Sequence, residues 1–224
     1  MQNVAFSNPT AIPHKRSVAE AVVSSLDAAQ QERWPFDYWL LQDALPMHDF
    51  DAIVDLPFAA PTQVDFNGRR DTNNSTRVFF NLANQQCFCV CHRVASAFKE
   101  PNVIAAIEQR TGADLSDTYL RIEYCQDTEG FWLEPRTDIS AKKFTMLVYL
   151  SDEPALAGAG TDIHEGPPRF NYVTSAPYGK GRGVFFIPGE NSWHGVGKRP
   201  FTGVRRSIII NYVSPDWRAF WELA

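Results

Sequence analysis

The chain has little that would mark it for a membrane, an extracellular framework or a nucleic acid. None of its 224 residues falls in an apolar run approaching the roughly 18 residues of a bilayer-spanning helix, so no membrane span is expected. The first fifteen residues are polar, carry Pro9 and Pro13, and contain no apolar core of the kind a secretory leader needs. Positive charge is in deficit: 21 Lys and Arg face 26 Asp and Glu, for a net charge of −5 and a pI near 5.5. That balance lacks the basic footprint of a nucleic-acid binder. Cysteine is scarce, with only Cys87, Cys89, Cys91 and Cys125, and the first three lie too close together to staple a fold. Their Cys-x-Cys-x-Cys-His run, ending at His92, admits a metal cluster. The spacing of Cys87, Val90, Cys91, Val94 and Phe98 fits an amphipathic helix better, with thiols serving as small hydrophobes. Free thiols in turn predict a reducing compartment, the cytoplasm.

What the chain does contain is enough apolar material for a core. Hydrophobic residues make up 44% and aromatics 13%, including 16 Phe and 6 Trp, which favours sheets and aromatic-lined pockets over a helical bundle. One domain over residues 1–224 is expected. Its first part, 1–115, reads as helix-rich. Residues 1–15 form a loose arm. Ser17-Val-Ala-Glu20 is a capping box that opens a helix over about 17–30. A short helix is expected within 46–56, the Cys-rich helix over 85–99, and another after an Asn102 N-cap, ending near Gly112. The aromatic stretch 34–42 begins the sheet, Arg77–Phe80 is a candidate strand, and Asn67–Asn74 is a polar loop. Beyond residue 115 the pattern changes. Leu120, Ile122 and Tyr124 alternate with Arg121 and Glu123 as in a half-buried strand. Strands follow at 144–150, 184–187 and 207–213, separated by Gly/Pro loops without helices. An α+β, mainly β architecture follows, with residues 116–214 forming an antiparallel sandwich or jelly roll and 215–224 a tail.

Three features converge in this second half: Leu133-Glu-Pro-Arg-Thr-Asp138, Trp193-His194-Gly195, and Arg205-Arg206-Ser207. Their order and spacing resemble the Fe(II)- and 2-oxoglutarate-dependent dioxygenases, in particular the prolyl-hydroxylase-like group, whose signature is His-x-Asp, a distal His, and an Arg or Lys about ten residues later. The text between them is similar too, in Phe144–Asp152, in Gly160-Thr161-Asp162 and in Gly181 to His194. The resemblance covers about residues 119–213. It implies a double-stranded β-helix (a cupin-like jelly-roll barrel) supported by the N-terminal helices. It implies Fe(II) held by Asp138 and His194, and 2-oxoglutarate held by Arg205 and Ser207, with Tyr149 and Tyr124 assisting. It implies a hydroxylase that uses O2 to oxidise an unactivated C–H bond of a small polar molecule or a peptidyl residue. Arg205, Ser207, Ile209 and Asn211 share one strand face by the period of two, the right parity for Arg205 and Ser207 to grip one carboxylate. Trp193 and Asn211 are candidate pocket residues.

One position departs from the pattern. The first ligand position holds Arg136, and a guanidinium has no lone pair to offer a metal. Its fixed charge repels Fe(II) by on the order of 8 kcal/mol at about 4 Å and an effective dielectric of about 20. Three outcomes stay open from the sequence: a weakened site on Asp138 and His194, a metal-free relative that binds 2-oxoglutarate or another carboxylate, or a replacement imidazole, for which His164 is the only other candidate in this half. A pure interaction scaffold would leave the joint presence of Asp138, His194 and Arg205 without a reason.

Overall fold

The computed structural model describes residues 16–62, 66–69 and 77–224. The N-terminal arm and most of the polar loop at 67–74 lie outside these residues. Helix α1 (Val18–Ala28) begins where the capping box places it: the Ser17 hydroxyl accepts from the Glu20 amide, and the Glu20 carboxylate accepts from the Ser17 amide. Next come β1 (Gln30–Glu32), β2 (Tyr38–Leu41), α2 (Met47–Val54) and β3 (Val78–Phe79). The Cys-rich stretch differs from the expectation. It is two helices, α3 (Leu82–Cys87) and α4 (Cys89–Phe98), broken at Phe88, whose extended backbone (φ −129°, ψ 112°) cannot continue a helical turn. Cys91, Val94 and Phe98 are buried as the stripe requires, but Cys87 and Cys89 are exposed. Helix α5 (Pro101–Thr111) has Glu100 rather than Asn102 at its N-cap, with Pro101 in the first turn, where a missing amide costs nothing. Gly112 ends it in the left-handed conformation, φ 75°.

The remaining strands are β4 (Tyr119–Asp127), β5 (Leu133–Arg136), β6 (Lys142–Tyr149), β7 (Asp162–His164), β8 (Tyr172–Ser175), β9 (Gly183–Phe186), β10 (His194–Val196) and β11 (Arg205–Val213). They form two sheets with antiparallel neighbours, a seven-stranded one in the order β1-β2-β9-β6-β11-β4-β3 and a four-stranded one in the order β5-β10-β7-β8. This is a jelly-roll-like arrangement, with the helices packed on the outer face of the larger sheet. Strands β5 and β10 carry Arg136 and His194 of the first two sequence motifs.

Two cores follow from strand parity. Ile122, Tyr124, Phe144, Met146, Val148, Phe185, Ile208, Ile210 and Tyr212 face the helices and bury with Leu26, Val94, Phe98 and Ile107. Leu147, Tyr149, Val184 and Phe186 face the other way and bury with Leu133, Ile163 and Val196 of the smaller sheet. The polar residues of β4 therefore differ from the half-buried expectation. Arg121 and Glu123 point between the sheets and are buried, paired at 2.9 Å. The tail is pinned there as well, because Glu222 accepts from Arg121 at 2.5 Å. Among the described residues no helix is long and apolar enough to cross a membrane.

Gly183 shows how closely β6 and β9 approach: a Cβ there would lie 2.0 Å from the Leu147 carbonyl oxygen. Gly183→Ala should part the ladder and lower the urea unfolding free energy by about 3 kcal/mol or more, the upper range for point substitutions. An unchanged urea midpoint would contradict this packing.

Candidate functional site between the sheets

Strand β11 is hydrogen-bonded on one side to β4 and on the other to β6, in a register that sets Arg205 opposite Asp127, Ser207 opposite Cys125 and Tyr149, and Asn211 opposite Arg121 and Thr145. Directly opposed residues project to one face, so these side chains share the space between the sheets. On the facing sheet His194 is opposite Arg136 on one side and Ile163 on the other. The result is a narrow cavity of about 30 Å3. Its walls include Arg136, Asp138, His194, Arg205, Asp127 and Arg77. The three sequence motifs, far apart along the chain, therefore meet.

Each polar group in this space is tied to others. The Arg205 guanidinium is fully buried. It donates to Asp127 Oδ2 at 2.7 Å, to the Ala159 carbonyl at 2.6 Å and to Thr161 Oγ1 at 3.5 Å. Asp127 is shared: its other oxygen lies 2.9 Å from Arg77 Nη1. The aromatic rings of Phe131, Tyr149 and Tyr178 surround Arg205 at 5.5–6.0 Å. The Tyr149 hydroxyl donates to Thr161 Oγ1 at 2.9 Å and accepts from the Thr161 amide. Asp138 accepts from Lys142 Nζ at 2.8 Å on one oxygen and from Thr145 Oγ1 at 2.7 Å on the other. Asn211 is buried behind this pair and donates to Thr145 Oγ1 at 2.9 Å. Ser207 Oγ is buried with no hydrogen-bond partner among the described residues.

His194 is buried, and its Nδ1 lies 2.9 Å from the Ser192 carbonyl. A carbonyl only accepts, so in the neutral ring Nδ1 carries the hydrogen and Nε2 keeps its lone pair. Burial pushes the imidazole pKa down to about 4. Asp138 opposes that shift, Arg136 adds to it, the Ser192 carbonyl opposes it and Lys142 adds to it. The ring is neutral at pH 7.

Three expected site residues lie elsewhere. Tyr124 is opposite Ile208, one residue out of phase with Ser207, and is buried among the helix-facing apolar residues, so it cannot reach the cavity. Trp193 alternates with His194 and packs against Phe170 on the outer side, the rings tilted by 59° with centroids 4.8 Å apart. His164 is out of phase with Ile163, and its Nδ1 lies 3.1 Å from the Phe170 carbonyl, so it supplies no imidazole to the site. Conversely, Asp127, Arg77, Lys142, Thr145 and Thr161 were not anticipated. Asp127 has the parity of Arg121 and Glu123 along β4, and that phase was the available signal.

The residues do not fit an octahedral iron. Position 136 offers a guanidinium, both Asp138 oxygens are engaged by an ammonium and a hydroxyl, and His194 brings a single imidazole, against the two imidazoles and open carboxylate such iron takes. Among the described residues no group of three or more His, Cys, Asp or Glu is placed to hold a metal ion.

No protein-family model matches the chain, and no curated protein matches it in sequence. Solved structures do match. One is a prolyl-4-hydroxylase of Pseudomonas putida, 17% identical over 92% of this chain and 98% of that one, TM-score 0.53. Another is a prolyl hydroxylase of Trichoplax adhaerens in complex with a hypoxia inducible factor peptide fragment, 14% identical over 88% and 89%, TM-score 0.51. A third is SnoN, a non-heme alpha-ketoglutarate-dependent epimerase of nogalamycin biosynthesis, 16% identical over 91% and 86%, TM-score 0.53. At these identities the likeness establishes a shared fold.

The depressed His194 pKa fixes a pH dependence. The unfolded chain takes up a proton near the ordinary value of 6.5 and the folded chain only near 4. Stability therefore falls as pH drops through that window, by about 3 kcal/mol at its lower end. Urea midpoints of wild type and His194→Gln, compared between pH ~7 and pH ~4, should converge in acid. An equal acid loss in both proteins would show that His194 is not the cause.

Proposed function

We propose that this chain is a metal-independent binder of a small carboxylate of the 2-oxoglutarate class, held between the sheets against Arg205. The observation that carries this reading is Arg136, a fixed cation directly opposite His194, where the resembling enzymes place a metal-binding imidazole. The electrostatics agree. Three guanidiniums, of Arg77, Arg136 and Arg205, and two carboxylates, of Asp127 and Asp138, line the cavity, and His194 is neutral. Glu123 of the neighbouring Arg121–Glu123–Glu222 cluster also acts on Arg77. A lining richer in guanidiniums than in carboxylates suits a carboxylate ligand, which guanidiniums bind through charge-assisted, forked hydrogen bonds. The unpartnered Ser207 hydroxyl, next to Arg205 on the same face, supplies a further donor. The cavity's free volume is near that of one water, so a ligand displaces side chains on entry. Asp138 borders both the cavity and an open groove lined by Ile139, Lys143 and Pro188, which gives the direction of entry.

A second reading keeps the activity of the fold neighbours: Fe(II)- and 2-oxoglutarate-dependent hydroxylation, with O2, of a small polar molecule or a peptidyl residue. The observation in its favour is His194, whose Nδ1 is tied to a backbone carbonyl so that Nε2 keeps the lone pair, the usual preparation of a metal-ligating imidazole.

The two readings separate by measurement. In the presence of a chelator, 2-oxoglutarate at about 100 times its Kd should stabilise the protein by about 2.7 kcal/mol. For a chain of this size that corresponds to a rise in Tm of roughly 5–10 °C, and Arg205→Gln should abolish it. A shift that appears only with added Fe(II) or Mn(II) would overturn the metal-independent reading. Arg136→His should raise Fe(II) affinity at least tenfold and raise 2-oxoglutarate turnover with it. Equal iron affinity in both proteins would mean that residue 136 does not control the site.

A further inference from the structure

A line of hydrogen bonds leaves the cavity at Asp138 and ends at the tail. Asp138 Oδ2 accepts from Thr145 Oγ1 at 2.7 Å, Thr145 Oγ1 accepts from Asn211 Nδ2 at 2.9 Å, and Asn211 Oδ1 accepts from Arg121 Nη1 at 3.4 Å. Thr145, Asn211 and Arg121 are buried. The two ends fix the direction of every bond between them. A guanidinium only donates, so Asn211 turns its carbonyl to Arg121 and its amide hydrogens to Thr145 and to the Phe144 carbonyl, 3.3 Å away. Thr145 then has one hydrogen to give, and the carboxylate only accepts it.

Beyond Arg121 the line reaches the tail. Glu222 accepts from Arg121 Nε at 2.5 Å, and the Trp217 ring lies 5.1 Å from the guanidinium, while Glu123 holds Nη1 at 2.9 Å. The tail itself is lightly attached. Its backbone is tied at Ala224 to Leu120 and at Trp221 to Asn81, each at 2.9 Å, and its large rings, Phe220 and Trp221, are 63% and 71% exposed. Segments that bury so little apolar surface open locally. Asp138, at the other end of the line, borders both the narrow cavity and the open groove.

Resting on the carboxylate-binding reading, we propose that the tail is a latch on the site: docked, it holds Asp138 between cavity and groove through Arg121, Asn211 and Thr145; released, it frees Asp138 and admits the ligand. Without Glu222 and Trp217 the Arg121 guanidinium re-centres on Glu123, and the buried Asn211 carbonyl loses its donor, a costly state. The amide turns over at the expense of its long bond to Phe144, and Thr145 gives its hydrogen to Asn211 instead of Asp138. Arg121 and Asn211 are thus positioning residues for Asp138. Coupling of this kind is reciprocal, so whatever loosens Asp138 loosens the tail.

Trypsin cleavage after the exposed Arg218 reads the tail, because it removes residues 219–224. Thr145 is separated from the tail by Asn211 and Arg121. Without ligand, Thr145→Val should speed this cleavage about fivefold, the low end of ordinary coupling between sites, and leave cleavage after Lys180 unchanged. Thr145→Ser, which keeps the hydroxyl, should cleave as wild type does. With a chelator present, 2-oxoglutarate should raise the Tm of wild type and yet speed cleavage after Arg218, whereas a ligand acting on a merely packed tail would slow it. Glu222→Gln, which serves even if the valine variant does not fold, should speed 2-oxoglutarate association about fivefold in stopped-flow fluorescence. If Thr145→Val leaves the Arg218 bond unchanged, or speeds it no more than the Lys180 bond, or if Glu222→Gln associates at the wild-type rate, the latch is overturned. If 2-oxoglutarate raises Tm without speeding cleavage after Arg218, the latch fails while carboxylate binding stands. If 2-oxoglutarate does not raise Tm, the carboxylate-binding reading falls, and the admission of that ligand by the tail falls with it.

Discussion

The two faces of β11 organise this molecule. The strand lies between β4 and β6 in the larger sheet, and its residues alternate between an apolar set and a set that is polar except for Ile209. Ile208, Ile210 and Tyr212 anchor the helical layer, whereas Arg205, Ser207 and Asn211 face the smaller sheet. A slip of one residue would exchange the two sets, placing isoleucines in the cavity and a guanidinium against α4. The cost of that exchange is the sum of a lost apolar core and a stranded charge, so the register is strongly specified.

The inner face has a further requirement. Its charged groups are nearly all out of water, so each needs partners. The structure meets this with linked clusters: Arg77–Asp127–Arg205, Lys142–Asp138–Thr145–Asn211, and Glu123–Arg121–Glu222. Pairs of this kind add little net stability compared with apolar residues of the same shape, but removing one member strands the other. A site built this way is therefore sensitive to each member while its neighbours hold the rest in place. Asp138 is held in the same way, by an ammonium on one oxygen and a hydroxyl on the other.

The fold neighbours share the scaffold, and the chemistry is set by what each chain installs within it. Here Arg136 stands opposite His194, and Lys142 engages Asp138, so protein cations sit beside both residues. Burial, with Arg136 and Lys142 adding to it, keeps His194 neutral, and the Ser192 carbonyl fixes its Nδ1.

Much of this was legible along the chain. The capping box fixed the start of α1, alternation located β4, β6, β9 and β11, and the parity of Arg205, Ser207 and Asn211 followed from the period of the strand. The order of Asp138, His194 and Arg205 anticipated their meeting. Local pattern reports which residues share a face, but not which layer that face meets. For that reason Arg121 and Glu123 looked solvated and are buried, and Tyr124 looked like a site residue and belongs to the helix-facing core. The break at Phe88 was hidden because the stripe on either side is in phase. Arg77, Asp127 and Lys142 had no motif at all. Their roles arise from cross-strand register and from the pairing that desolvated charge demands, and both are properties of the assembled sheets.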